Sequence, residues 1–192
     1  VAVSASDPFH YGGARTADAA RKRERHADLA QTFHLPVVFL ADIPGFLVGL
    51  QAEKSGVIRH GVRALSAVYQ ADVPWCSVIL RKAFGVAGGA QVNHAGYRWR
   101  YAWPSGDWGS LPLEGGVEAA WKADLAAAED PEAMRREIEA RLDRLRSPFR
   151  SAEAFSIEDV IDPRETRARL CAFAEAAAKL RRPGRSRHGL RP

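Results

Sequence analysis

An α/β domain with a mostly parallel sheet is the fold class that this sequence predicts. Two apolar runs, residues 36–42 (PVVFLAD) and residues 75–80 (WCSVIL), are continuous rather than alternating, as is typical of strands buried on both faces. Segments with helical spacing of apolar residues separate them, so strands alternate with helices. Both runs lead into glycine-containing loops, and ligand sites of parallel sheets gather at the carboxyl ends of strands.

The sequence of the first half of the chain predicts two strands and two helices. A short strand covers residues 1–6, and Thr16 opens a helix over residues 16–34. The charged middle of this helix, RKRERH, is expected to be a solvated face, although a binding patch is the alternative. After the strand at residues 36–42, residues 56–70 carry Ile58, Val62, Leu65 and Tyr69 at helical spacing.

The second half continues the alternation. After the strand at residues 75–80, we expect a short helix over residues 87–95, a strand over 100–103, a loop, and a helix over 116–127. Asp130 and Pro131 are an N-cap and a first helical residue. Two amphipathic helices complete a domain of residues 1–180. Their apolar faces are Met134, Ile138, Leu142 and Leu145, and then, after the Asp162–Glu165 capping pattern, Leu170, Phe173, Ala177 and Leu180.

Composition excludes some classes of protein. The chain has 192 residues, 46% of them hydrophobic, but no apolar run approaches the roughly 18 residues of a membrane span. Cys76 and Cys171 lie in apolar patterns, so we expect two small buried side chains and a reducing cytoplasm. Residues 181–192 hold five arginines and no acid, whereas the rest of the chain is neutral. This predicts a disordered basic tail rather than a nucleic-acid-binding face.

Two loops are the candidate site. Residues 41–50 (ADIPGFLVGL) contain a tight turn at Pro44 and Gly45, and residues 81–91 (RKAFGVAGGAQ) crowd small residues after a strand. If a helix begins in the second loop, its free amides form a site for an anion or a developing oxyanion. For the loop at residues 41–50 the alternative is an ordinary strand-exit turn. Arg81 either orients a carboxylate or is a cation at a strand end, and His60 is either a base or a structural hydrogen-bonding group.

Six sequence blocks carry a resemblance to a known family. In order along the chain they are LPVVFLADIPGFLVG, AEKSGVIRHGVRAL, VPWCSVILRKAFG, YAWPSGDWG, LEGGVEA and IEDVIDPRETRARL. Over residues 1 to about 175 the chain resembles the C-terminal half of the carboxyltransferase (beta) component of biotin-dependent acyl-CoA carboxylases. That family includes the propionyl-, acetyl- and methylcrotonyl-CoA carboxylases, and it has relatives among biotin-dependent decarboxylases.

The resemblance implies a crotonase-like fold of repeated ββα turns and a specific chemistry. It implies transfer of CO2 from carboxybiotin to the α-carbon of an acyl-CoA, with backbone amides stabilising the negative charge that develops on oxygen. The donors implied are the amides of Val86 and Ala87, in a turn shaped by Gly85 and Gly88. Further substrate-binding positions implied are Pro44, Gly45, Phe46, Arg81 and Gly89, the last at the acyl-selecting position.

The resemblance also implies partners. These are an N-terminal carboxyltransferase half, a biotin carboxyl carrier protein and a biotin carboxylase, in a homo- or hetero-oligomer without nucleic acid or membrane. Because no acyl-CoA domain is visible, we expect the chain to be the later part of something larger or one half of a split protein.

The sequence departs from the family in the second loop. Relatives commonly carry RKAYGGAYD or RKGYGLGAQ, whereas this chain has Val86, an added Gly88–Gly89 pair and no Asp at position 89. A backbone donor at position 86 tolerates valine if the φ of this residue is negative. A decarboxylase using the same loops and a noncatalytic relative that binds a biotinyl protein therefore remain as alternatives.

Overall fold

Six strands form one sheet in the computed structural model, which describes residues 1–89, 91–93, 96–113, 115–182 and 184–186. Their order is β1-β2-β3-β4-β6, β5 pairs with the end of β3, and every pairing is parallel. The strands are β1 (Ala2–Ala5), β2 (Val37–Ile43), β3 (Trp75–Phe84), β4 (Arg98–Ala102), β5 (Asp107–Gly109) and β6 (Asp159–Val160).

Nine α-helices lie within the described residues, with short 3-10 turns at Tyr11–Gly13 and Pro163–Glu165. They are α1 (Ala17–Thr32), α2 (Leu50–Lys54), α3 (Val57–Gln70), α4 (Gly85–Gly89), α5 (Gly116–Ala120), α6 (Lys122–Ala127), α7 (Pro131–Asp143), α8 (Pro148–Glu153) and α9 (Thr166–Leu180). None of these described helices is long and apolar enough to cross a membrane.

The central strands are buried on both faces, as their apolar runs predict. Successive side chains of a strand point to opposite faces. Val37 and Trp75 therefore pack in one cluster with alanines of α1 and α3, whereas Val38 and Cys76 pack on the other face against Phe173 of α9. The sheet is thus the middle of three layers, and its strand ends are left free for a site.

Capping residues begin two helices where predicted. The Thr16 side chain accepts a hydrogen bond from the amide of Ala19, and the Asp130 side chain accepts one from Ala133. Each interaction satisfies an amide that has no partner within its own helix.

Several predicted boundaries are wrong. Strand β3 continues to Phe84 because β5, which lies in the predicted loop, pairs with Lys82–Phe84. The helix predicted at 87–95 instead begins at Gly85 and ends at Gly89, and positions 90, 94 and 95 of that prediction lie outside the described residues. Besides β5, three elements were not predicted at all, helices α2 and α8 and strand β6, and the helix predicted over 116–127 is divided at Trp121 into α5 and α6.

Two burial predictions are also wrong. Cys171 is exposed, whereas Cys76 is buried as predicted. Arg23, in the middle of the charged segment of α1, is only 5% exposed because its guanidinium stacks on the ring of Phe39.

The basic tail has two contacts with the loop after α1. Arg181 donates a hydrogen bond to the Phe33 carbonyl, and the Gly184 carbonyl lies 2.7 Å from a His34 ring nitrogen. Position 183 and positions 187–192 lie outside the described residues, so the disorder of the tail stays a prediction.

Candidate functional site

The two predicted loops meet at the carboxyl ends of neighbouring strands. Strand β2 leads into the loop at Pro44–Gly49, and β3 leads directly into α4. Ala87 of α4 and Phe46 of the β2 loop pack on one apolar cluster formed by Phe39, Ala41 and Ile43. The sheet register places both loops at one edge, which the sequence predicted from strand order alone.

The turn after β3 is tightly packed. Gly85 begins it with a φ of +59°, a left-handed conformation that favours glycine. A Cβ on Gly88 would lie 2.3 Å from the carbonyl carbon of Ala83, so only glycine allows the turn to fold back on its own strand. Ala87 is fully buried. This packing fixes the backbone of the predicted donors.

The backbone of Val86 is compatible with its predicted role as an amide donor. It is not among the described residues with positive φ, so its backbone meets the condition for a valine at this position. Its side chain is exposed, whereas its amide belongs to the first turn of α4. Amides of a first helical turn have no intrahelical acceptor, and they carry the positive end of the peptide dipoles.

The loop after β2 is more open. Gly45 has a φ of +141°, and a Cβ there would meet nothing within 4 Å. The Phe46 ring lies against α3, where a Cβ on Gly61 would come within 2.4 Å of it. The Pro44 ring lies beside Gly13, since a Cβ on that glycine would be 3.4 Å from the proline Cδ. Close contacts with Gly13 and Gly61 therefore hold this loop, and the space on the Cβ side of Gly45 is open.

Arg15 ties the two loops together, and sequence reasoning missed it. Its amide donates to the Gly45 carbonyl at 2.9 Å, and its carbonyl accepts from the Leu47 amide at 3.0 Å. Its guanidinium donates to the Ala87 carbonyl at 3.5 Å. Burial lowers the pKa of Arg15 to about 10. A single cation before an N-cap gives no sequence signal of such a role.

Asp42 is a second residue that the sequence reasoning did not single out. The β2–β3 register slips between Ala41 and Ile43, and the Asp42 carboxylate accepts a hydrogen bond from the Lys82 amide there at 3.1 Å. Arg81 forms an ion pair with the same carboxylate at 3.1 Å. An acid that ends a buried apolar run is a signal that could have found Asp42. The guanidinium of Arg81 is half exposed at the strand end, and its contact with substrate stays a prediction.

The remaining candidates lie around this centre. Gly89 is exposed, its carbonyl accepts from the Tyr69 hydroxyl at 3.3 Å, and a Cβ there would be 3.8 Å from that oxygen. His60 lies in α3, and its Nδ1 has no hydrogen-bond partner among the described residues. The structure therefore brings the two loops together, and among the described residues no side-chain hydrogen bond links His60 to them.

Comparison with known proteins gives one family. The family model of the carboxyl transferase domain matches residues 1–190. The chain is 36% identical over 193 residues to the methylmalonyl-CoA carboxyltransferase 12S subunit of Propionibacterium freudenreichii subsp. shermanii, covering 98% of this chain and 37% of that protein. It is 34% identical to a putative propionyl-CoA carboxylase beta chain of Bacillus subtilis (strain 168), covering 98% of this chain and 38% of that one.

Solved structures agree on the fold. A crystal structure of the transcarboxylase 12S hexamer, with methylmalonyl-coenzyme A bound, superimposes with a TM-score of 0.84 at 34% identity, over 99% of this chain and 37% of that one. The beta subunit of P. aeruginosa geranyl-CoA carboxylase gives a TM-score of 0.79 at 22% identity, over 92% of this chain and 35% of that one, which shows the fold alone. These neighbours have the crotonase-like fold, which confirms the fold that the resemblance implied.

The chain spans little more than a third of the length of these relatives. The match nevertheless covers nearly all of this sequence, and the two loops that meet at the strand ends lie inside it. The chain therefore belongs to the carboxyl transferase domain family.

Proposed function

We propose that the chain is the biotin-side, C-terminal half of a carboxyltransferase that transfers CO2 from carboxybiotin to the α-carbon of an acyl-CoA. The observation that carries the proposal is the meeting of the Gly45 loop and the α4 turn on one cluster at the ends of β2 and β3. Relatives named as a methylmalonyl-CoA carboxyltransferase subunit and as propionyl-CoA carboxylase beta chains support it.

The main chain supplies the catalytic groups in this proposal. The amides of Val86 and Ala87 donate to an oxygen that gains negative charge as the carboxyl group leaves, and Gly85 and Gly88 fix their direction. The tight contact of Gly88 with Ala83 means that the donors need not reorganise during the reaction. Removing one such donor typically costs about 2.7–4 kcal/mol of transition-state stabilisation.

In this proposal the free side of the loops receives the planar ureido ring of biotin. Among the described residues, a Cβ on Gly45 would meet nothing within 4 Å, and a Cβ on Gly89 would lie 3.8 Å from the Tyr69 hydroxyl. Carboxybiotin, when bound, supplies the activated carboxyl group. Pro44, Gly45 and Phe46 line the groove, Gly89 lies at the acyl-selecting position, and Arg81 orients a carboxylate from the strand end.

The site is completed by another chain or segment. Large apolar side chains are exposed around it, namely Val48, Leu50, Ile58, Val62 and Val86. Such a patch is costly on a free monomer. An N-terminal carboxyltransferase half covers it, and a biotin carboxyl carrier protein and a biotin carboxylase supply the carboxylated group. The 12S relative is described as a hexameric multienzyme core. The buried thiol of Cys76 and a reducing cytoplasm are compatible.

Light scattering tests the assembly. The purified chain, alone or with its co-purified partners, is expected to elute as a dimer or larger species. A stable monomer whose apolar patch does not bind a hydrophobic dye would contradict the assembly.

A transfer assay tests the activity. The protein in its native assembly, supplied with the N-terminal half, is expected to move labelled carboxyl from a carboxylated biotinyl carrier to propionyl-CoA or acetyl-CoA. Release of labelled CO2 from a carboxyacyl-CoA without transfer would identify a decarboxylase instead. Capture of the biotinyl carrier without any turnover would identify a binding relative.

A further inference from the structure

A cavity of about 560 Å³ lies between β1, the segment that follows it and the first turns of α1. It is next to the candidate site, because Arg15 and Ile43 line it, but most of its wall belongs to other elements. Its size is within the range of roughly 300–1,000 Å³ that is usual for small-molecule pockets.

Two buried guanidinium groups form part of the cavity wall. Arg15 is 7% exposed and Arg23 is 5% exposed. Burial lowers the pKa of both, and the positive charge of Arg15 lowers the pKa of Arg23 further. The two cations are therefore close enough to repel each other. Burying like charges together is unfavourable unless another charge compensates them.

Protein contacts use only part of the hydrogen-bonding capacity of Arg15. Within the described residues, its guanidinium donates one hydrogen bond, to the Ala87 carbonyl, and it forms no ion pair. A guanidinium has five N–H donors. The Arg23 guanidinium stacks on Phe39, with its carbon 3.8 Å from the ring centroid. Stacking covers the face of this group.

The rest of the described wall adds one further cation and two imidazole groups. Lys22, His10 and His26 line the cavity together with a single acid, Asp7, which lies 3.5 Å from His10. Thr16 and Ala19 line it as well, so the first turn of the 16-residue helix α1 faces it with the positive end of its dipole. Two arginines and a lysine against one carboxylate favour a ligand with more than one negative charge.

We propose that this cavity binds a phosphate group. Planar guanidinium groups bind phosphate through paired hydrogen bonds, and a doubly charged ligand offsets the repulsion between Arg15 and Arg23. The source is either free phosphate or the phosphate of a larger molecule that fills the remaining volume. The assignment does not depend on carboxyl transfer: Arg15 also holds the two loops of the candidate site, but the test measures phosphate binding and not transfer.

Thermal unfolding and calorimetry test it, on the purified protein in its native assembly. Sodium phosphate is expected to raise the Tm relative to sodium chloride of equal ionic strength, because a ligand of the folded state alone stabilises it. Titration with inorganic phosphate and with adenosine 3′,5′-bisphosphate is expected to give saturable binding, one per chain. Tighter binding of the bisphosphate identifies a larger phosphate-bearing ligand, and equal binding identifies free phosphate.

Arg23→Met is the decisive variant. Methionine keeps the apolar contact with Phe39 and removes a buried charge beside Arg15, so the Tm of the variant without phosphate is measured first and only a folded variant is titrated. Its phosphate affinity is expected to fall by at least about tenfold, as for loss of a charge-assisted hydrogen bond.

Two surface variants on the same helix test the proposal without changing a core residue. Lys22 and Arg25 are both exposed, but only Lys22 lines the cavity. Lys22→Gln is expected to weaken phosphate binding and Arg25→Gln to leave it unchanged. The proposal is wrong if phosphate gives no specific rise in Tm, if Arg23→Met binds phosphate normally, or if the two surface variants weaken binding equally.

Discussion

The two loops at the candidate site are held in different ways. The α4 turn is fixed by close packing, since Gly88 lies directly against the backbone of Ala83 and Ala87 is fully buried. The Gly45 loop has open space at its glycine and is held by backbone hydrogen bonds to Arg15 and by the Phe46 ring on Gly61. The first arrangement suits fixed donors and the second suits a groove that admits a ligand.

Ala87→Pro tests whether the fixed turn supplies the donors. Proline removes the amide and sets φ near −65°, which the first turn of a helix tolerates. Carboxyl transfer is expected to fall by roughly a hundred- to a thousandfold. Val86→Gly is the control, since it removes an exposed side chain and keeps the amide. Full activity of a folded Ala87→Pro protein, checked by circular dichroism and melting, would move the assignment to the Gly45 loop.

Gly88→Ala tests the packing itself. The new Cβ would lie 2.3 Å from the Ala83 carbonyl carbon and 2.5 Å from its oxygen, so the backbone must move. We expect a loss of unfolding free energy at the upper end of the roughly 1–3 kcal/mol typical of overpacking. Gly89→Ala is matched, because its Cβ would be 3.8 Å from the nearest atom. Equal losses in urea titrations of the two variants would show that the turn is not tightly packed.

Gly45→Ala tests strain without a clash. Its Cβ would meet nothing within 4 Å, but alanine must adopt a φ of +141°. Strain of this kind costs about 1–3 kcal/mol, and a loop that is open on one side relieves part of it. The variant is therefore expected to lose less stability than Gly88→Ala and to raise the KM for the biotinyl carrier. A larger loss than that of Gly88→Ala would reverse the comparison.

Arg81→Ala tests whether a side chain at this edge contributes to carboxyl transfer in addition to the main-chain amides. The guanidinium is half exposed but the Asp42 side chain is only 10% exposed, so the variant is expected to lose stability as well, because a buried carboxylate loses its counter-ion. If Arg81 orients a carboxylate, activity falls by an amount intermediate between those of Val86→Gly and Ala87→Pro. Asp42→Asn is the matched variant, since it removes the ion pair and keeps an acceptor for the Lys82 amide. Unchanged activity of Arg81→Ala would leave a site made of main chain alone.

Truncation after Leu180 is expected to have the smallest effect. Two contacts of the tail are single exposed hydrogen bonds, from Arg181 to Phe33 and between Gly184 and His34. Exposed bonds of this kind add little stability. Melting temperature and assembly are therefore expected to stay unchanged, and a large loss in either would show that the arginines dock on an acidic surface.

The amino-acid sequence by itself determined the alternation of strands and helices, because buried parallel strands and amphipathic helices have distinct periodicities. It determined the caps at Thr16 and Asp130, since a cap is a local hydrogen bond. It also determined that two glycine loops lie at one edge, because parallel strands share their carboxyl ends.

Tertiary structure alone decided the contacts between distant segments. Strand β3 extends to Phe84 because β5, more than 20 residues later, pairs with it. Arg23 of helix α1 is buried because Phe39 of β2 and Trp75 of β3 lie beside it. Arg15 contacts Ala87, which lies 72 residues later in the chain. Local periodicity carries no information about such partners, because the energy of each contact depends on which surface the folded chain places opposite the residue.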